Sequence, residues 1–327
     1  MDFGVLSTAH IGIDYVIPAI QASEHRVAAI ASRDADRADD VAAETGIDRS
    51  YGSYEALLSD DGIDAVYNPL PNALHAEWTR KAADAGRHVL CEKPLTRDPG
   101  AANDLFDYCE ERGVTLMEAF MYRFHPRTER ALEIVREELG AVRHVEATFT
   151  FQMGDRTDNF RLDPDLDGGA LMDVGCYAVS AARNFLGEPD RAYATAVDRY
   201  DSGVDSHLAG TLEYGDGPTA HVVGSFDAPH TERYRVLTED GRVEAADPFG
   251  PEPDQPVSLT WVKDGEEHTE TFDAVDHYRL QAEAFADAVD SGRTPRVDRA
   301  ETVGNAAAID ALYESAERGE SVAVDAE

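Results

Sequence analysis

Lys93 is a candidate for proton transfer because of where it stands in the chain. The only lysines are Lys81, Lys93 and Lys263, so nearly all of the basic charge is carried by arginine. Lys93 lies in Cys91-Glu92-Lys93-Pro94, at the end of a predicted strand. Partial burial and a cationic neighbourhood there would lower the pKa of a lysine enough for it to exchange a proton with a substrate hydroxyl. The alternative is a surface lysine paired with Glu92.

Asp173 and Tyr177 form a second pair suited to proton transfer. They are four residues apart in a predicted helix from Gly169 to Leu186, so they project from one face. A tyrosine hydroxyl can relay a proton once a nearby cation stabilises its phenolate, and a carboxylate can orient the hydroxyl that it serves. On the residues alone, a core tyrosine whose hydroxyl bonds to Asp173 is the preferred interpretation.

The segment from Gly4 to Gly12 joins the first predicted strand to the first predicted helix. A dinucleotide site needs small residues here, because the backbone must approach the pyrophosphate and offer it the amides of the helix N-terminus. Ser7 and Ala9 stand where the usual fingerprint has its first two glycines, and only Gly12 keeps its place. Packing of a tight strand-to-helix turn would explain the same small residues equally well.

The end of the second predicted strand favours NADP over NAD. About twenty residues after Gly12, Ser32-Arg33 stands where a carboxylate would accept from the ribose 2′-hydroxyl. An arginine can instead hold a 2′-phosphate through two parallel hydrogen bonds, and Arg37 is a possible second contact. A solvated surface arginine is the alternative for Arg33, and the neighbouring Asp34 and Asp36 keep NAD possible.

A third segment, Asn68-Pro69-Leu70-Pro71-Asn72-Ala73-Leu74-His75, follows another predicted strand. In an open α/β sheet the carboxyl ends of the strands line the ligand crevice, and the two prolines fix the backbone as it turns into a helix. We expect His75 to cap that helix or line the crevice rather than to act in catalysis. The complete set of predicted cofactor-binding residues is Ser7, Thr8, Ala9, His10, Ile11, Ser32, Arg33, Arg37, Pro69, Leu70, Asn72, His75, Glu92 and Lys93.

The elements that position these residues fall into two predicted domains. Residues 1–120 alternate short apolar strands with Ala-rich amphipathic helices, which predicts βαβ units and a Rossmann parallel sheet. The predicted strands are Phe3–Leu6, Val27–Ala31, Ala65–Tyr67, Val89–Cys91 and Val114–Met117. Residues 121–327 combine helices with several strands at hairpin spacing, which predicts an α+β domain on a mostly antiparallel open sheet. The uncovered face of that sheet would be a natural surface for a homodimer or homotetramer.

Three motifs in this order resemble the glucose-fructose oxidoreductase/inositol dehydrogenase family, often called Gfo/Idh/MocA. They are Glu92-Lys93-Pro94, Glu118-Ala119-Phe120-Met121-Tyr122-Arg123-Phe124-His125-Pro126 and Gly168-Gly169-Ala170-Leu171-Met172-Asp173-Val174-Gly175-Cys176-Tyr177. The resemblance spans essentially the whole chain. It is strongest to the subgroup that contains the aldose (D-xylose type) dehydrogenases and the dimeric dihydrodiol dehydrogenases.

The resemblance implies an NAD(P)-dependent dehydrogenase whose catalytic set is Lys93, Asp173 and Tyr177. It implies hydride transfer from the C1 hydroxyl of an aldose such as xylose or glucose, giving a lactone. Arg161 matches a position that the subgroup uses near its substrate, and Arg123 is a weaker candidate; Lys93, Asp173 and Tyr177 would also contact the sugar. Either arginine could instead pair with the aspartates around residues 155–167. Other polyols or dihydrodiols, or a dinucleotide-binding sensor without turnover, remain alternatives.

Composition limits the possible partners and the cellular setting. Against 65 acidic residues there are 29 basic ones, a formal net charge of −36. So acidic and lysine-poor a chain predicts a salt-loving host, because at molar salt the Debye length is roughly 3 Å and surface carboxylates hardly repel. Nucleic acid is an unsuitable partner. Three scattered cysteines, no metal-ligand spacing and no signal or membrane segment predict a metal-free, cytoplasmic protein.

Overall fold

The computed structural model describes residues 1–154, 159–215 and 217–325 of two compact units. The first unit consists of Met1–Thr96, Gly100–Met121 and Asp276–Thr302, and the second of Arg97–Pro99, Tyr122–Val275 and Val303–Glu327. The predicted division at residue 120 places 276–302 differently, and as a boundary between domains it stays a prediction. The aspartates around residues 155–167, predicted as possible partners of Arg123 and Arg161, fall partly outside the described residues, at 155–158.

The first unit is built on a six-stranded sheet whose strands all pair in parallel. Its strands are β1 (Asp2–Leu6), β2 (Arg26–Ala31), β3 (Arg49–Tyr51), β4 (Ala65–Asn68), β5 (His88–Cys91) and β6 (Leu116–Glu118). Their order, β3-β2-β1-β4-β5-β6, is that of dinucleotide-binding sheets, in which the strand order reverses between β1 and β4. The predicted Rossmann sheet is confirmed, and the carboxyl ends of β1 and β4 lie at the reversal, where such sheets bind their ligands.

Helices connect these strands. They are a π-helical turn at Gly12–Val16 that runs into α1 (Ile17–Gln21), then α2 (Ala35–Thr45), α3 (Tyr54–Leu58), α4 (His75–Asp84) and α5 (Pro99–Glu110). The sequence did not predict β3 or α3. Both are short, and Arg49-Ser50-Tyr51 lacks the apolar run by which a strand is recognised, because β3 is an edge strand with only half-buried side chains.

The second unit contains a nine-stranded sheet in the order β14-β13-β12-β11-β7-β10-β9-β8-β15. The elements from residue 126 onward are α6 (Pro126–Glu138), β7 (Val142–Gln152), α7 (Cys176–Leu186), β8 (Arg191–Val197), β9 (His207–Glu213), β10 (Thr219–Ser225), β11 (Asp227–Thr238), β12 (Gly241–Ala246), β13 (Val257–Lys263), β14 (Glu266–Phe272), α8 (His277–Ser291), α9 (Arg299–Arg318) and β15 (Val322–Ala323). Of these, α8 and the start of α9 belong to the first unit. Pairing is antiparallel except between β7 and β10, which confirms the mostly antiparallel sheet. Among the described helices, none has the length and apolarity to cross a membrane.

The predicted helix from Gly169 to Leu186 is interrupted at its start. Leu171–Gly175 forms a π-helical turn, and the regular helix α7 begins only at Cys176. This turn packs closely on β10: a Cβ added to Gly224 would lie 2.8 Å from the Ala170 carbonyl oxygen and 2.8 Å from the Gly175 Cα. Backbone therefore meets backbone at this point, and the contact fixes the segment that carries Asp173.

Replacing Gly224 by alanine should destabilise the protein, because the atoms that a new methyl group meets are backbone atoms that cannot rotate away. We expect Gly224→Ala to lower the free energy of unfolding by roughly 1–3 kcal/mol, the usual range for overpacking. Denaturant unfolding in molar KCl measures it. Gly217→Ala is the matched control, since a Cβ there meets nothing within 4 Å. Equal stabilities of the two variants would contradict the close contact.

Candidate active site

The loop after β1 holds Ser7 in a backbone conformation that favours glycine. Ser7 has φ 131°, and its Oγ accepts a hydrogen bond of 3.0 Å from the Ala9 amide. The Ala9 carbonyl in turn accepts from the amides of Gly12 and Ile13, which starts the helix at this loop. Ser7, Thr8 and Ala9 give the loop small, half-buried side chains, and the His10 side chain is exposed. This geometry suits a pyrophosphate site, although the roles of Ser7, Thr8, Ala9, His10 and Ile11 stay predictions.

After β2, the acidic side chain nearest to Arg33 is already bonded within the fold. Asp34 is the N-cap of α2, and its carboxylate accepts from the Arg37 amide at 3.2 Å. The Ser32 hydroxyl accepts from the Asp34 amide. Arg33 is exposed; burial raises the pKa of Tyr54, and the charge of Arg33 opposes that rise. The turn therefore presents cationic side chains, Arg33 and Arg37, while its first carboxylate is engaged.

The Asn68–His75 segment is tied to the Lys93 segment by His75. This side chain is fully buried, with Nε2 at 2.7 Å from the Leu70 carbonyl oxygen and Nδ1 at 2.9 Å from that of Pro94. Two carbonyl acceptors would suit an imidazolium, but burial outweighs them and lowers the pKa of His75 to about 4. His75 thus joins two loops from inside the protein, and its predicted place in the cofactor site stays a prediction.

Glu92 is a buried acceptor beside Lys93. The Tyr67 hydroxyl donates to Glu92 Oε1 at 2.8 Å, and the Lys93 amide to Oε2 at 3.3 Å. The Lys93–Pro94 peptide bond is cis, and the Leu95 amide that follows it donates to the buried carboxylate of Glu118 at 2.7 Å. Lys93 itself is half-buried. The chain around Lys93 is therefore fixed by carboxylates that accept hydrogen bonds from its backbone amides. The supporting roles of Tyr67, which donates to Glu92, and of Glu118, which accepts from Leu95, were not predicted from the sequence.

In the second unit, Asp173 is held by Arg161. Arg161 Nε donates to the Asp173 carboxylate at 2.6 Å, and its guanidinium lies 4.6 Å from the centre of the Phe160 ring. The pair is only partly exposed, with 33% of the Arg161 side chain and 19% of the Asp173 side chain accessible. Arg161 was predicted either to bind the sugar or to pair with aspartates of 155–167, and the partner seen here is Asp173.

Tyr177 is almost fully buried among aromatic rings. The centres of Tyr122, Phe149 and Phe249 lie 6.1, 5.6 and 5.5 Å from its own. Sequence analysis missed Phe149 and Phe249; the one local signal was an aromatic residue between prolines in Asp247-Pro248-Phe249-Gly250-Pro251. Arg123, the weaker substrate candidate, is half-buried in the short helical turn Met121–Phe124. Within the described residues, no group of three or more His, Cys, Asp or Glu side chains is arranged to hold a metal ion.

Because of the backbone conformation of Ser7, a glycine variant should be more stable than an alanine variant at this position, which is the reverse of the usual order. Ser7→Ala loses the bond to the Ala9 amide and keeps a strained φ, whereas Ser7→Gly loses the same bond and relieves a strain of about 1–3 kcal/mol. We therefore expect Ser7→Gly to be the more stable variant in denaturant unfolding. At an unstrained position alanine would be the more stable by roughly 0.4–1 kcal/mol, and that order here would rule out strain at Ser7.

Two family models match most of the chain. The model described as the oxidoreductase family with an NAD-binding Rossmann fold matches residues 1–120, and the GFO/IDH/MocA C-terminal domain matches residues 129–244. A curated relative, D-xylose 1-dehydrogenase (NADP(+)) 2 of Haloferax volcanii, is 61% identical over 325 residues, which cover 99% of this chain and 100% of the relative.

Solved structures agree with this assignment. A 3-ketoreductase from Actinomadura kijaniata, in complex with NADP and TDP-benzene, has a TM-score of 0.91 and 34% identity, covering 96% of this chain and 97% of its own. An aldose-aldose oxidoreductase from Caulobacter crescentus, complexed with glycerol, has a TM-score of 0.90 and 28% identity over 99% of each chain. The expected family is thereby confirmed: this chain is an oxidoreductase of the Gfo/Idh/MocA family, with an NAD-binding Rossmann domain at its N-terminus.

Proposed function

We propose that this protein is an NADP-dependent aldose dehydrogenase that oxidises the C1 hydroxyl of a sugar of the xylose or glucose type to a lactone. The observation that carries the proposal is 61% identity, over essentially the whole of both chains, to a D-xylose 1-dehydrogenase that uses NADP. The similarity of fold to an aldose-aldose oxidoreductase supports an aldose as the substrate class. Both relatives agree with what the three sequence motifs imply.

The turn after β2 supports NADP as the cofactor. A 2′-phosphate needs cationic donors, and Arg33 and Arg37 supply two guanidinium groups on an exposed turn. A 2′-hydroxyl would need a carboxylate acceptor, and one of the two oxygens of Asp34 already caps α2 by accepting from the Arg37 amide. The loop at Ser7–Ile11 would face the pyrophosphate, and Pro69, Leu70, Asn72, Glu92 and Lys93 would form or support the part of the site nearer the nicotinamide.

The proposed chemistry separates a hydride from a proton. When bound, the oxidised nicotinamide accepts the hydride from C1. Tyr177 takes the proton of the C1 hydroxyl, and the Lys93 ammonium donates a hydrogen bond to the sugar. The aldose loses two electrons and two hydrogens, so the products are the lactone, the reduced cofactor and one proton.

Asp173 and the arginines orient the substrate in this proposal. The Asp173 carboxylate would accept from a sugar hydroxyl next to the reacting carbon, and its ion pair with Arg161 holds it in place. We propose that Arg161 acts mainly through Asp173, and that Arg123 donates to more distant hydroxyls. Assembly as a homodimer or homotetramer through the nine-stranded sheet and a place in a salt-rich cytoplasm complete the proposal.

Initial-rate spectrophotometry in molar KCl tests the activity. Reduced nicotinamide is followed with NADP against aldoses, inositols and aromatic dihydrodiols, and we expect turnover of an aldose. Lys93→Met and Tyr177→Phe should each lower kcat/KM by about 10²–10⁴-fold, the range of general acid–base catalysis. Lys81→Met is the matched control, because Lys81 is a surface lysine paired with Glu55 and Glu77.

Other outcomes of the same assay identify the alternatives. Turnover of only a cyclic polyol or only a dihydrodiol would show that the substrate belongs to that class and is not an aldose. Cofactor binding without turnover of any diol would indicate a sensor, and exchange between two sugars without added NADP would indicate a retained cofactor. Full activity of Lys93→Met would contradict the catalytic assignment.

Cofactor preference should depend on Arg33. Arg33→Ala removes charge-assisted hydrogen bonds worth roughly 1.5–3 kcal/mol to the 2′-phosphate, so we expect the KM for NADP to rise by about 10- to 100-fold with little change for NAD. Arg26→Ala is the control, since Arg26 lies at the opposite end of β2 in an ion pair with Asp2. An equal rise for both cofactors would show that Arg33 supports the fold and does not select the phosphate.

A further inference from the structure

The ring of Tyr177 is packed against a residue outside all three family motifs. Phe249 is fully buried, with its ring centre 5.5 Å from that of Tyr177 and 5.3 Å from that of Tyr122. It also stacks on Phe149, at 5.9 Å with 10° between the ring planes. Phe249 thus contacts each of the other rings in the cluster, so its position sets the space that Tyr177 can occupy.

Phe249 lies in Asp247–Gly250, the first four residues of the connection between β12 and β13, which we call the Phe249 loop. A buried cation, Arg127, holds the start of this Phe249 loop: its Nη1 donates to the Ala246 carbonyl at 2.9 Å and its Nη2 to the Asp247 carbonyl at 2.6 Å. Burial lowers the pKa of Arg127, while the nearby Glu232 and Asp247 favour its charged form. Carbonyl contacts of this kind compensate for the lost hydration of the guanidinium.

A buried anion, Glu232, holds the other half of the Phe249 loop. Its carboxylate accepts from the Gly250 amide at 2.9 Å. Its backbone carbonyl accepts from the Asp247 amide at 2.9 Å. Burial raises the pKa of Glu232, and the Gly250 amide opposes that rise. The carboxylate therefore fixes the backbone next to Phe249, the residue whose ring contacts Tyr177.

Two buried charges thus bond to the backbone of one four-residue loop. Burying a charge is unfavourable unless its hydrogen bonds are made well, and a loop that only filled space could be anchored by apolar side chains. From this arrangement we infer that Phe249, fixed by Arg127 and Glu232, is a positioning residue that holds the Tyr177 ring where its hydroxyl can take the substrate proton. The inference rests on the proposed function, because it assigns a consequence to the position of Tyr177.

The test is steady-state kinetics of Phe249→Leu with an aldose and NADP in molar KCl. Leucine keeps the site apolar but removes the flat face against Tyr177. We expect kcat to fall by about 10- to 100-fold, as for a small misplacement of a reacting group, with the KM for NADP unchanged. The pH at half-maximal kcat should also shift, because the surroundings of the Tyr177 phenol change. Glu232→Gln, which keeps side-chain volume but weakens the bond to the Gly250 amide, should shift both quantities in the same direction.

Phe285→Leu is the matched control. Phe285 is equally buried and packs on Phe3 in the first unit, so the same substitution loses a core ring that is no part of the Tyr177 cluster. An equal fall of kcat in this control would overturn the positioning role, and so would wild-type kcat and an unshifted pH profile in Phe249→Leu. Turnover by the wild-type protein is the separate test of the proposed function, so failure of that function is distinguishable from failure of this inference.

Discussion

Buried polar side chains that bond to loop backbone are the constraint on which the rest of this structure depends. A buried polar or charged group is unfavourable by several kcal/mol unless its hydrogen bonds are satisfied, so each such group fixes the loop that satisfies it. His75 joins two loops of the first unit, and Glu92 bonds to the Lys93 amide. Arg127 and Glu232 do the same for the loop beside Tyr177. The residues proposed for chemistry thus depend on neighbours that need not touch substrate.

The same principle explains why residues that bind a ligand are difficult to distinguish, from the sequence, from residues that only support the fold. Arg161, expected near the sugar, donates to Asp173, and Asp34, a possible ribose acceptor, caps α2. In each case a local partner satisfies a side chain that composition alone leaves open to a ligand. A charged residue near a site is therefore assigned more securely by the partner it has than by its distance along the chain from a motif.

Charge shapes the surface independently of the site. A net charge of −36 disfavours a compact state at low ionic strength, and molar salt screens that repulsion. The few basic residues are mostly arginines, many of which form ion pairs on the described surface, such as Arg112 with Asp84 and Arg299 with Asp107. Exposed pairs of this kind contribute little each. The acid-rich, lysine-poor composition of the chain therefore indicates adaptation to a salt-rich solvent and does not determine the fold.

The sequence by itself determined the fold class of both units, the protein family and most of the helices and strands. Apolar periodicity is local, so β1, β2, β4 and β5 were predicted almost to the residue, whereas β6 lies at Leu116–Glu118 and the prediction ended at Met117. Short or polar elements such as β3, α3, β12 and β15 escaped because tertiary pairing, not propensity, forms them. Only the tertiary structure decided the partners: His75 inside the protein, Arg161 on Asp173 and Phe249 on Tyr177. Those contacts join residues far apart in the chain or set a side chain's direction, and one-dimensional spacing carries neither kind of information.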